Sequence, residues 1–500
     1  MTAAADGDVI QIASGIYVEN ITAANKSLSF IGENRATTIV DGANLASVFV
    51  FTNVAPEDFS FEHLAIRNGS GVNGGGISVV QGNVSVTDSD LTNNKASGAG
   101  GALAVNTGNI EIHGTIMRNN KATVGSGGGA IAHSTGTLNI VDSALEQNLA
   151  KTGGGIIHVN GDTTITNSSV SENKAVSTLM GGISQQNGSL TIDNSHINNN
   201  LANGDIGGIA HVGVGDVVIK NSTVNGNESL SGNVGAIQNV NGQLTVENSQ
   251  ISNNTANQIA GVYHTDATKD VVIKKSTMSN NVATTAVGAL LTVGKLIIEE
   301  SVFSGNQAST GAAIYHASDL SITKSNFSLN QATGDVAVIY NAGPGNISID
   351  ESSYKDNYAG GNIGVMLVSA GSTLVITNST FSGNETNGIA GALYTIGTSK
   401  ITNSTFSGNQ SGQHAGAIFN GGIATLRNVT ITENRADSNV DGTGFGGGIL
   451  NSGTLNLRNS IIAGNLGGPA GDPDCFGTIN SEGYNMIETV GVNCPIAGST

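Results

Sequence analysis

The chain contains no run of about 18 apolar residues, so no segment is long enough to cross a bilayer as a helix. Basic residues are few. The 19 Lys and Arg against 37 Asp and Glu give a formal charge of −18. That balance argues against nucleic acid and anionic membrane as partners, since both require a basic face, and no direct membrane insertion is expected. Charged residues are only 11% of the total, tryptophan is absent, and good helix formers are sparse. Glycine takes their place, at 71 of 500 residues. Each interior glycine costs a helix about 1 kcal/mol relative to alanine, which excludes a mainly helical fold. Hydrophobic residues still make up 38%, chiefly Ile, Val, Leu and Ala, enough to bury a core, so the abundance of Asn, Ser, Thr and Gly does not signal disorder. The opening MTAAADGDVIQIASGIYVEN has neither a basic nor an apolar leader region, which predicts export by another route or a leader lying upstream.

What is present is a repeat. The nonapeptide ITNSTFSGN occurs at 376–384 and again at 401–409. With its last asparagine as a marker, sixteen copies run from Asn68, Asn94, Asn119 and Asn148 through Asn306, Asn330, Asn384 and Asn409 to Asn465, and twelve of the fifteen intervals are 25 to 27 residues. Three positions before the marker stands a large apolar residue in every copy but the first, and five before it stands Ser in thirteen of the sixteen. Midway to the next marker a glycine-rich turn enters an apolar strand, as in GGGI at 74–77 and GGAL at 100–103. The unit thus holds three short stretches that alternate apolar and polar residues, the period of half-buried strands.

Twenty-five extended residues would run about 80 Å, so each unit must close on itself, and stacked units would rise about 4.8 Å each. The pattern predicts an all-β parallel β-helix of about 18 coils of 24–31 residues with three parallel sheets. Residues 1–67 are expected to form irregular N-terminal coils whose cap is missing, 68–465 the regular repeats, and 466–500 a C-terminal coil and loop. Leucine-rich repeats share the period but need Leu-dominated positions, and the calcium-binding GGxGxD nonapeptide does not occur.

Stacking turns equivalent positions into columns. The marker column, with Asn306, Asn330, Asn384 and Asn409, is expected at tight corners, where Asn tolerates the left-handed conformation and its amides bond along the stack. The Ser column, with Ser379 and Ser404, is expected to satisfy backbone groups at the other corner. Just before that Ser, Lys275, Glu300, Lys324 and Glu351 alternate in charge, predicting an ion-pair ladder of about 0.2–1 kcal/mol per exposed pair. Past the glycine turn, a column carries His133, His158, His211, His264 and His316 among amides and hydroxyls. Its first two members are one coil apart, the spacing a metal would need, but no acid or cysteine completes a set, so a polar ladder is the expected role. Asp437 and Asp441 in ADSNVDGTG offer a loose cation such as Ca²⁺ a weak foothold; no other cofactor is implied. Sequons such as NST at 378–380 and 403–405 follow from the repeat itself.

GGAL at 100–103, AGAI at 415–418 and the FxxN stretches ending at Asn306, Asn330, Asn384 and Asn409 resemble the repeats of polymorphic outer-membrane-protein adhesins. More broadly, the chain resembles right-handed, pectin-lyase-like β-helices of bacterial surface proteins over nearly its whole length. Its opening is similar to their first coils, where a short amphipathic helix caps the core; only Ala3, Ala4 and Ala5 match it. The close, RNSIIAGN followed by PDCFGTINSEGYNMIE, resembles the last coils of large secreted β-helix proteins with variable C-terminal anchors. The resemblance implies a Cys475–Cys494 disulfide, an oxidising extracellular or cell-surface setting, and ends trimmed of leader and anchor. It also reaches polysaccharide lyases and hydrolases, but the Asp-Asp, G-H-G and R-x-K of polygalacturonase-like enzymes are missing, and no carboxylate cluster with a basic partner is apparent. The expected function is therefore a non-enzymatic, adhesin-like stalk or passenger that meets glycans or a host or neighbouring cell surface. A self-assembling filament joined end to end and a polysaccharide-active enzyme are the alternatives. An ice-binding array ranks last, because the column of Thr223, Thr277, Thr380 and Thr405 is interrupted.

Overall fold

A short alternating stretch buries every second side chain, and that is how each coil here is built. The computed structural model describes residues 4–53, 55–125, 127–177, 180–468 and 473–499. Ala3 of the expected cap lies outside them. The chain is an all-β parallel solenoid of about 18 turns without helices among the described residues. It divides into two compact units, one of Met1–Leu244 with Ser249–Asn257 and one of Thr245–Asn248 with Gln258–Thr500.

One coil of the first unit shows the plan. Leu138–Val141 forms the first wall, Ala144–Glu146 the second, Leu149–Ala150 the third and Ile156–Asn160 the fourth. Each pairs in parallel with its counterpart one coil on, Leu138 opposite Thr163, Ala144 opposite Ser169, Leu149 opposite Lys174 and Ile156 opposite Ile183. The second unit repeats the plan with Leu320–Thr323, Asn326–Ser328, Gln331–Ala332 and Ile339–Asn341. The expected three sheets are therefore four. The extra wall is only two residues long, too short to show as alternation, and its inward residue is usually alanine, which fits against the corner. In the first two coils three strands suffice, as in Leu28–Gly32, Thr38–Asp41 and Phe49–Phe51. A buried cluster of Phe30, Phe49 and Phe51, joined by Phe59 and Phe61 of the third coil, fills the core at this end.

The corners correct a second expectation. The left-handed residue is not the marker asparagine but the one before it, as with Glu172 (φ 56°) ahead of Asn173 and Leu329 (φ 58°) ahead of Asn330. The same holds at the Ser corner, where Asn378 and Asn403 (φ 50°) precede Ser379 and Ser404. Asn68 and Asn119 are themselves such left-handed residues. The column members in those coils are Gly69 and Asn120, bonded to Asn94 and Asn148.

The markers are buried and form a one-way amide ladder. The backbone N–H and Nδ2 of Asn306 both donate to Oδ1 of Asn330, which donates likewise to Asn357, at 2.9–3.1 Å. The second Nδ2 hydrogen of Asn330 goes to the carbonyl of Phe303 at 3.0 Å. The ladder continues through Asn384, Asn409, Asn434 and Asn465 and ends on the buried carboxylate of Asp474, an acceptor with nothing to donate onward. Because every amide points its NH₂ toward the C-terminal end, the aligned dipoles place their positive end at Asp474, as a helix does at its N-terminus. Behind the corner, Phe303, Phe327, Tyr354, Phe381 and Phe406 stack in the core with ring centroids 4.6–4.9 Å apart.

Candidate functional site

The Ser column does satisfy backbone groups: Ser379 N–H donates to Ser404 Oγ at 3.2 Å, and the two hydroxyls donate to the carbonyls of Thr377 and Thr402. Cys475 and Cys494 are disulfide-bonded. The alternating charges do not form a full ladder. Lys275 (φ 48°), Glu300 (49°), Lys324 (50°) and Glu351 (47°) are the left-handed corner residues of their coils. Of the three steps, only Lys324–Glu351 is an ion pair among the described residues, at 3.9 Å, while the adjacent column supplies Lys274–Glu299 at 3.2 Å. Side chains leaving a tight turn diverge, so one-coil spacing does not guarantee contact.

The histidine column is the third residue of the fourth wall and points inward. In the first unit, His133 pairs with His158, then Gln185, His211 and Asn239; in the second, His264 pairs with Thr292, then His316 and Asn341. All are buried. The His133 and His158 rings stack at 4.4 Å, and three of their four nitrogens face carbonyls or a hydroxyl: His133 Nε2 meets Gly108 O at 2.7 Å, while His158 meets Gly136 O at 3.0 Å and Thr163 Oγ1 at 2.7 Å; His133 Nδ1 is buried without a hydrogen-bond partner. Burial, and then the His158 ring, push His133 down to about 4; burial pushes His316 down to about 4 as well and lowers His158. These imidazoles are neutral core groups at neutral pH. Asp437 is buried and accepts the N–H of Gly442, and the exposed Asp441 accepts the N–H and Oγ1 of Thr443 and the amide of Asn439. Both carboxylates thus tie their own loop. Among the described residues no three His, Cys, Asp or Glu converge as a metal would require.

Two surface features stand out among the described residues, one in each unit. In the first unit an open groove of about 490 Å³ runs beside the second wall, floored by Ile116, Ala144 and Ser169. Asp142, Asn167 and Asn194 stand along one side as left-handed corner residues. Arg35 reaches in from a loop 79 residues away in sequence, bonding the carbonyl of Gly114 at 2.9 Å and lying 3.8 Å from Asp90. Gly114 sits in the corner column at φ 59°, and a Cβ there would come within 2.2 Å of Asp88 Oδ1. Burial raises the Asp90 carboxyl above its ordinary range against the opposing pull of Arg35 and Arg118. His196 closes the far end, Nδ1 held by Thr223 Oγ1 at 2.9 Å; Asn194 donates to Asn167 Oδ1 at 2.7 Å; and Asp142 lies 3.2 Å from His113 Nε2. The groove is lined by a guanidinium, an imidazole, amides, a hydroxyl and a carboxylate around a small apolar floor.

In the second unit the outward residue in the middle of the fourth wall is aromatic or leucine in nine successive coils. Leu291, Leu367 and Leu450 alternate with Tyr263, Tyr315, Tyr340, Tyr394, Phe419 and Phe476, in unbroken parallel register. All are half-buried except Leu450, which is 9% exposed. Neighbouring rings stack, Tyr315 on Tyr340 at 5.1 Å and Tyr394 on Phe419 at 4.7 Å. The same position in the first unit is mixed, with Val50, Ser78, Ala104, Ala132, Ile157, Ser184, Ala210 and Gln238 and no aromatic residue, so the fold does not demand bulk there. Neither feature stands out in the one-dimensional pattern: the groove depends on a distant arginine, and the aromatic column lies between two inward positions that carry the stronger repeat signal. The sequences AAIYHA and AVIYNA, with an aromatic directly before the His or Asn, were the available hint.

A family model described as a right-handed β-helix region matches residues 289–466. No curated protein matches the chain. Among solved structures, that of the PL6 family alginate lyase AlyGC aligns over 100% of this chain and 98% of its own, at 11% identity and a TM-score of 0.25, a level that says nothing about activity.

Proposed function

We propose that this chain is a non-enzymatic β-helix recognition protein of adhesin type, working at or outside the cell surface, and that the groove of the first unit takes a neutral saccharide. The observation that carries the reading is the groove's lining. Amides at Asn167 and Asn194, the Ser169 hydroxyl, the His196 ring and the Arg35 guanidinium surround an apolar floor of Ile116 and Ala144. Sugars offer the matching surface, hydroxyls at the rim and C–H groups on the flat face, and such sites bind through a few fixed polar groups. Support also comes from how the remaining acids and imidazoles are used. His133 and His158 each bond a backbone carbonyl inside the solenoid, and the loop carboxylates hold their own turns.

Glycan-array screening followed by calorimetry on the best hit tests the reading. Arg35→Ala and His196→Ala are expected to weaken binding about tenfold each, the loss of one polar contact, without changing the far-UV circular dichroism. Absence of any glycan binding would sink the proposal. So would release of reducing ends or unsaturated products abolished by Asp142→Asn, which would instead make the Asp142–His113 pair an acid–base couple.

A further inference from the structure

The aromatic column of the second unit has an order that its own geometry makes meaningful. Read by class from Tyr263 to Phe476, it runs aromatic, leucine, aromatic three times over. That string is the same backwards. Its centre is Leu367. A two-fold axis through Leu367 would lay a second copy antiparallel on the first, with Tyr263 facing Phe476 of the other copy, Leu291 facing Leu450, Tyr315 facing Phe419, Tyr340 facing Tyr394, and Leu367 facing itself. Leucine meets leucine and ring meets ring at every position. A surface that matches itself under reversal is what an isologous interface requires.

We propose that this face is the interface of a homodimer, two copies packing sheet on sheet with their fourth walls antiparallel. Size supports a second copy as the occupant. Eight steps of about 4.8 Å make the column about 38 Å long, and with its flanking turns at a width of about 20 Å it covers roughly 800 Å² per copy, the area of a standard stable interface. Composition supports it too. Aromatic residues are enriched and charges depleted at interface centres, and none of these nine positions is charged. The turns that follow the column strands in four of the coils are made of small residues: Ala317-Ser318, Ala342-Gly343, Ser369-Ala370 and Gly421-Gly422. They leave room for another sheet about 10 Å away. Tyr315 and Tyr340, and Tyr394 and Phe419, each cover one ring face with the other's, which leaves less open ring face for a sugar to pack against.

Sedimentation velocity and light scattering on the 500-residue protein across a concentration series decide it. The expected result is a dimer. Leu367→Lys, which sets two like charges face to face on the axis, is expected to weaken it at least about 30-fold, the loss of an interface anchor. Ala104→Lys, on the equivalent column of the first unit, is expected to leave it intact. Tyr340→Lys and Tyr394→Glu are each expected to dissociate the dimer and, combined in one chain, to restore it, because each introduced lysine then faces the introduced glutamate of the other copy. Far-UV circular dichroism shows that each variant folds. A protein that stays monomeric to about 100 µM, a dimer indifferent to Leu367→Lys, or open-ended filaments would each overturn the proposal, and failure of the double variant to restore the dimer would overturn the two-fold register.

Discussion

Inside a solenoid a single side chain is repeated in its neighbours, so a residue that departs from its column is easy to test. Tyr354 stands in a stack otherwise made of Phe303, Phe327, Phe381 and Phe406, fully buried, and its hydroxyl has no hydrogen-bond partner. Burial without a partner also raises its pKa well above the ordinary value. Tyr354→Phe is therefore expected to stabilise the protein by about 1 kcal/mol, the desolvation cost of one unpaired hydroxyl, read as a higher urea midpoint. His316 tests burial through pH. Its folded pKa is about 4 against an ordinary 6.5, because burial disfavours the imidazolium. The unfolded chain therefore takes up a proton first as pH falls. The stability associated with the neutral ring is present above pH 6.5 and is lost on the way down to about 4, a change of roughly 3 kcal/mol. Asn341 occupies the same column one coil on, so His316→Asn is expected to fold and to flatten the fall in melting temperature between those pH values. An unchanged slope would mean that His316 is already protonated in the folded state or is reached by solvent.

At the scale of the coil, the two asparagine columns carry different tasks, and substitution separates them. Asn330 supplies the acceptor for the backbone and side-chain N–H groups of Asn306 and donates to Phe303 O and Asn357. Asn330→Leu or Asn330→Gly strands several buried polar groups and is expected to cost about 3 kcal/mol or more. Asn378 is exposed and left-handed at φ 50°, so Asn378→Gly is expected to be nearly neutral. Equal costs from denaturant titration would mean that the ladder bonds contribute nothing beyond turn geometry. That division also marks how far the sequence could be read. The period of Asn, Ser and apolar residues was enough to count coils and identify parallel strands, because each column repeats many times. It could not tell which member of Glu172-Asn173 takes the left-handed turn, since both positions hold asparagine in other coils. Nor could it reveal a two-residue wall, whose only trace is the alanine of Lys174-Ala175 or Gln331-Ala332. The histidine column was visible as a column but not as an interior one, because its polarity hid the alternation that places it beside Ile156 and Ile339. The groove lay beyond such reading altogether, since Arg35 and Gly114 meet across 79 residues.

For the whole chain, the repeat implies that architecture and recognition can be changed separately. Each coil of a solenoid contacts only its neighbours, so stability is close to a sum of coils and the interfaces between them. The identical nonapeptides make this testable without a foreign junction. Deleting residues 385–409 joins Asn384 to Gln410, which already sits in register with Glu385. The 25-residue excision removes one coil and brings Asn434, the acceptor of Asn409, beneath Asn384. Phe381 then stacks toward Ile431, the present partner of Phe406, so the core stays apolar. The shortened chain loses Tyr394 and with it the two-fold match of the outward column, so its dimer is expected to weaken, while each copy folds with an unchanged far-UV spectrum per residue and a urea midpoint only slightly lower. Because the deletion lies in the second unit, saccharide affinity at the groove of the first is expected to match that of the full chain. A shortened chain that loses its β spectrum or its protease resistance would show that the coils are not interchangeable, and that the repeated nonapeptide carries a constraint beyond stacking.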